Sequence, residues 1–450
     1  MSKLIFPQNF LWGVSTSAYQ IEGGYKSDGK GESIWDQFSH LPGNIVNNDN
    51  GDVACNHYHL FEKDIMLMKE MGVKGYRFSI SWPRIFPGGT GKPNGRGLQF
   101  YKKLINMLLE NNITPVATLY HWDLPQVLQA KGGWANRDVA LYFEQYATFV
   151  FKELGDRIPI WITLNEPWVS SFVGYWFGSH PPGISDFPAA LTAAHHILLA
   201  HGLAVRALKK LNLKSEIGIA LNLNPVYPGS QKVEDVMAAR RYGDFLNGWF
   251  LDPVLKGKYP EKLVRLLSGE MALPEIRSGD MEIINTPVDF LGVNSYSSTC
   301  VLNDAKDWPL QIKFAGTGKP KTDSGWEIYP EGLFDLLLFL HREYNGVKIL
   351  ISENGAAFKD RIGTDGMIDD ADRMRYLHDH ILQVHRALDI GVNLFGYFVW
   401  SFMDNFEWNL GYSKRFGLVY VDYATQKRTI KKSGWWYKGI IKNNSIDFDF

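Results

Sequence analysis

Short apolar runs rich in β-branched and aromatic residues recur along the chain, at residues 10–14, 74–80, 114–120, 160–164, 216–221, 288–293, 347–352 and 394–400. They alternate little, which is the pattern of strands covered on both faces. Helical periodicity fills the gaps between them. Residues 58–71 place Leu60, Phe61, Ile65, Met68 and Met71 on mixed three- and four-residue steps and stop at Gly72, a predicted C-cap. Residues 137–154 and 373–390 read the same way. Eight strands separated by helices predict an α/β chain folded as one (β/α)8 TIM barrel with long βα loops, a single catalytic domain over residues 1–450. An open doubly wound sheet is the alternative. Residues 303–326, rich in Gly, Lys, Asp and Pro, predict a rim loop with no element of its own.

Composition narrows the classes of function. The 450 residues are 45% hydrophobic and 14% aromatic, enough for a large core. Forty-seven basic residues balance 48 acidic ones, which argues against a nucleic-acid partner. Two cysteines, Cys55 and Cys300, make no disulfide framework and suit a reducing compartment. The first ten residues lack a signal-peptide pattern, and no long uninterrupted apolar run suggests a membrane span. The expectation is a cytoplasmic enzyme with no membrane partner.

Candidate chemistry lies where the strands end. The predicted strands run out onto Arg77, His121, Asn165 with Glu166, Asn222, Asn294, Glu353 and Trp400. Any one of these is what an ordinary loop carries, but in a barrel all seven converge on one face, where active sites form. Glu166 in TLNEP (163–167) and Glu353 in ISENG (351–355) stand out. Two carboxyls facing one cavity suit glycosidic cleavage: one protonates the leaving oxygen, the other attacks the anomeric carbon or activates water.

The chain resembles glycoside hydrolase family 1, the β-glucosidase family, over essentially its whole length. The resemblance is carried by FLWG (10–13), AYQIEG (18–23), YRFSISWPR (76–84), YHWDLPQ (120–126), TLNEP, ISENG, WSFMDNFEW (400–408) and RFGL (415–418), with Lys432-Ser433 and Trp436-Tyr437. Asn56 and Ser295 depart from residues common in the family. By position, the resemblance implies Glu353 as nucleophile and Glu166 as acid/base of a retaining exo-acting β-glycosidase, with β-glucosidase as the main activity. Arg77 is then expected to lower the pKa of Glu353, with Tyr296 donating to the same carboxylate, while Glu166 needs a raised pKa. Sugar contacts are implied for Gln20, His121, Asn165, Glu407 and Trp408, with Trp400 as the apolar platform. Asn294 has a supporting role. Trp326, Trp168, Phe172 and Asn222 are assigned to the aglycone mouth and Phe416 to the glycone side.

Alternatives within the enzyme class are a 6-phospho-β-glycosidase and a transglycosylase on the same site. A carboxylate at Glu407 would repel a 6-phosphate, which disfavours the first. A sugar-binding protein without catalysis would be expected to lack one of the two glutamates. His57 and His59 lie at a predicted helix start with no partner carboxylate motif, and His195-His196 reads as structural. Residues 88–92 (GGTGK) fail the phosphate-loop spacing at Phe86 and Pro93. No cofactor or metal is expected; the partner is a small β-glycoside or oligosaccharide.

Overall fold

The computed structural model describes residues 3–364 and 366–450. Eight parallel strands close a barrel in chain order: β1 (Leu11–Ser15), β2 (Gly75–Ser79), β3 (Thr114–Tyr120), β4 (Ile160–Asn165), β5 (Glu216–Asn222), β6 (Phe290–Asn294), β7 (Ile349–Asn354) and β8 (Leu394–Trp400). Closure comes from β8 against β1, with Gly396 opposite Leu11 and Trp400 opposite Ser15. The open doubly wound sheet is excluded, and the eight predicted strands match within about two residues at their ends.

Helices cover the outside for the reason the pattern implies. Tyr58, Phe61, Ile65 and Met68 form the buried stripe of His57–Glu70, and Gly72 follows with φ +73, the left-handed conformation that ends a helix. Asp138–Leu154 and Ala371–Asp389 occupy the other two predicted positions. Helix Phe187–Lys210 is long and apolar enough by composition to cross a membrane, contrary to expectation, and 78% of its most apolar window is buried within the protein. Core packing accounts for its character.

The barrel lumen has its own core of Val116, Ile160, Ile162, Ala220, Phe290, Leu350 and Phe398. Phe398 fills the space opposite Gly13, where a Cβ would collide with its ring. Polar side chains stack above this plug toward the C-terminal rim.

Residues 303–326 are not wholly loop. Ile312–Phe314 pairs antiparallel with Thr299–Asn303, which pairs parallel with Val226–Pro228, so a three-stranded sheet lies on the rim. Its short, half-exposed strands carry too little periodicity to be read from sequence. Three of the four histidines are packing residues: His57 bonds Asp64 at 2.8 Å, His195 bonds Tyr259 and Asp280, and His196 bonds the Trp134 carbonyl, while His59 is exposed.

Candidate active site

Two β-bulges place the glutamates. Along β4, Ile160 and Ile162 face the lumen while Thr163 faces outward, its hydroxyl 2.7 Å from His201 of the surrounding helix. Strict alternation would send Asn165 outward too. Between Ile162 and Asn165, however, β4 holds one residue more than β5, which turns Asn165 toward the barrel axis. In β7 the extra residue lies between Ile351 and Glu353 against β6, and between Ile351 and Asn354 against β8. Ile351 packs in the outer core, and the bulge turns Glu353 to the cavity side instead. Glu166 follows β4 with φ +47, a left-handed conformation a non-glycine residue adopts only when its surroundings hold it.

Both carboxyls face a cavity of about 750 Å³ at the C-terminal end of the barrel. Glu353 is in contact with the Arg77 guanidinium and accepts the Tyr296 hydroxyl. A second Arg77 nitrogen donates to Asn165 Oδ1 at 2.5 Å, and its Nε donates to Thr118 at 3.2 Å. Glu166 Oε1 accepts from Asn294 Nδ2 at 2.7 Å. Glu166 thus has a neutral donor where Glu353 has a cation.

Burial is the largest influence on every carboxyl here. It pushes Glu166 up to about 8, with the Glu353 charge adding to the shift and Asn294 and Arg77 opposing it. The expected lowering of Glu353 is not met. Burial outweighs Arg77 and Tyr296, so its pKa lies above the ordinary carboxyl range. Glu353 still ionises before Glu166, because only Glu353 touches a cation. A third carboxyl, Glu407, is pushed up to about 8 by burial and by Glu353, and its Oε2 is buried without a partner.

The remaining predicted residues divide into three groups. His121, Asn222, Asn294, Tyr296, Trp326, Trp400, Glu407, Trp408 and Phe416 line the cavity with the two glutamates. The His121 ring lies nearly parallel to both Trp400 and Trp408, with centroids 5.7 and 5.9 Å away. Trp326 and Phe416, assigned to opposite ends of the substrate, are neighbours with centroids 5.9 Å apart. Arg77, Asn165 and Gln20 are buried behind the wall, and the Gln20 amide nitrogen donates to Asn405 and the Phe406 carbonyl.

Trp168, half-buried, and Phe172, fully buried, are not part of the cavity lining. They pack with Phe245 in an aromatic cluster, while Val169 and Val173 of the same turn line the cavity. The backbone over Val169–Val173, directly after Trp168, is a π-helical turn, which shifts the faces of the residues within and after it from those a 3.6-residue period would assign.

Sequence reasoning missed Trp122, His180, Asn224, Lys321 and Glu327, all on the wall. Trp122 was within reach, since it follows His121 directly; its indole donates to the Asn165 carbonyl at 3.0 Å. Lys321 and Glu327 sit on the rim, joined by a β-bridge that no local motif announces.

Residues 2–446 match the family described as "Glycosyl hydrolase family 1". A relative named "Beta-glucosidase A", from Acetivibrio thermocellus, is 54% identical over 99% of this chain and 100% of its own length. A "1,4-beta-D-glucan glucohydrolase" from Thermotoga neapolitana is 50% identical over 98% of this chain and 99% of its own. The solved β-glucosidase from Thermotoga maritima in complex with deoxynojirimycin superposes with a TM-score of 0.96 at 49% identity, covering 99% of this chain and 100% of that one.

Proposed function

The chain belongs to glycosyl hydrolase family 1, and on that premise we propose that it is an exo-acting β-glucosidase releasing terminal non-reducing β-D-glucosyl residues with retention of configuration. The observation that carries the reading is the unequal treatment of two carboxyls on one cavity. Glu353 pairs with a cation, whereas Glu166 has only a neutral donor and is pushed up to about 8.

Glu353 attacks the anomeric carbon as the glycosidic bond breaks, and Glu166 delivers its proton to the departing oxygen. The ester so formed removes the Glu353 charge, one of the causes that holds the Glu166 pKa up. With its pKa lowered, Glu166 stands ionised and free to act as the base: it takes a proton from water, the water oxygen attacks the anomeric carbon, and the bond to Glu353 breaks to free the sugar and restore the carboxylate. Buried without a partner, Glu407 Oε2 is a hydrogen-bonding atom suited to sugar hydroxyls. Trp400 and Trp408 supply flat apolar surface for the pyranose ring. A cytoplasmic location belongs to the same reading, supported by two unpaired thiols, Cys55 and Cys300.

A panel of aryl β-glycosides, with and without a 6-phosphate, tests the activity. Aryl alcohol release is expected from the plain β-glucoside; release only from the 6-phosphate would overturn the assignment.

A further inference from the structure

Arg77 can donate hydrogen bonds but cannot accept them. The Asn165 atom 2.5 Å from its guanidinium is therefore the amide oxygen. That oxygen also meets Asn294 at 3.0 Å, so the Asn294 atom facing it is nitrogen. The same nitrogen reaches Glu166 Oε1 at 2.7 Å, and both of its hydrogens are thereby used. Asn294 Oδ1 is left to face Ser352 Oγ at 2.7 Å, so Ser352 donates. A flipped Asn294 amide would set oxygen against oxygen at Asn165, where neither atom has a hydrogen to give. The polarity of the chain is imposed from one end by a residue that touches the other catalytic carboxyl.

We propose that Asn294, oriented by Arg77 through Asn165 and locked by Ser352, is the positioning residue that delivers a fixed N–H to Glu166 and so sets the proton affinity of the acid/base. The inference rests on the acid/base assignment of Glu166. A donated N–H stabilises the carboxylate, so it favours the second step, where Glu166 is base, over the first, where it is acid. Other groups act on Glu166 too. Burial, Glu353 from β7 and Glu407 from the segment after β8 favour its neutral form, and Arg77 from β2 favours the anion. Asn294 is the group in hydrogen-bond contact, and one substitution removes it without altering any charge.

The test is a 13C NMR titration of protein labelled at the glutamate δ-carboxyl, with the Glu166 signal identified by its absence from Glu166→Gln. In Asn294→Ala the Glu166 pKa should rise by about one unit, a tenfold gain in proton affinity. Ser352→Ala, which frees the amide and preserves the fold more gently, should shift it the same way by less. The alkaline limb of kcat/KM for cellobiose and the acidic limb of kcat for dinitrophenyl glucoside, limited by the second step, should move up together. A merely structural role would lower rates and leave both limbs in place. A Glu166 signal unmoved in both variants overturns the inference. A signal that moves while the cellobiose limb stays fixed upholds it and instead removes Glu166 from the acid role.

Discussion

Arg77 touches Glu353 with one guanidinium nitrogen and Asn165 with another, so a single buried cation braces the nucleophile and the strand carrying the acid/base. Breaking a buried pair by removing one partner costs about 3–5 kcal/mol, because the other charge is left stranded. Arg77→Met should lose that much stability at pH 8. The loss should shrink at pH 5, where the stranded Glu353 takes up a proton. Urea unfolding at the two pH values checks this; equal losses would mean that Arg77 contributes packing rather than charge.

The two carboxylates separate by their answers to azide. Glu166→Ala should give a burst of dinitrophenolate, a leaving group that needs no acid, and then stall as glycosyl-enzyme with turnover down about 10²–10⁴-fold. Azide, already anionic, should restore turnover and yield the β-azide. Glu353→Ala should be inactive alone and give the α-azide. NMR of the azide products decides, and the opposite stereochemistry would exchange the two roles.

Glu407 should matter to binding more than to bond cleavage. Leaving buried sugar hydroxyls without their partner costs about 1–3 kcal/mol, roughly five- to a hundredfold. Glu407→Ser is expected to lower kcat/KM for aryl glucosides by that factor. An unchanged value would show that Glu407 does not hold the sugar.

Stability should carry the signature of the raised carboxyls. Glu166 and Glu407 both move from 4.5 to about 8, so the folded protein binds more protons than the unfolded chain between those values. Their contribution is fully present below pH 4.5 and is lost as pH rises through 8. Glu166→Gln and Glu407→Gln should therefore leave Tm nearly unchanged at pH 4 and raise it at pH 8. Calorimetry at both pH values is the measurement, and equal shifts would rule out a titration effect.

The lumen plug is open to a double-mutant cycle. Phe398→Ala should cost about 3–5 kcal/mol through the cavity it leaves. Gly13→Ala drives a methyl into the same ring, and Phe398→Leu should recover part of that loss. Additive effects in denaturant unfolding would show that the two sites do not share space.

The strands, most of the helices and the convergence of polar strand ends were legible in the sequence, because burial on both faces selects β-branched residues and amphipathic helices repeat every 3.6. Glu166 and Glu353 were identifiable at strand ends for the same reason. Which way they point was not. Counting alternate residues along β4 and β7 sends Asn165 and Glu353 toward the helices, and only the extra residue opposite β5 and β6 turns them inward. A bulge is a relation between two strands, so no single segment encodes it locally. The same holds for charge. Arg77 beside Glu353 suggested a lowered pKa, but the depth of burial decided the sign, and depth depends on everything packed around the site. Trp168 and Phe172 carry the aromatic character of a sugar platform, yet they pack against Phe245 while Val169 and Val173 line the cavity, a choice made by the aromatic cluster that the tertiary fold assembles.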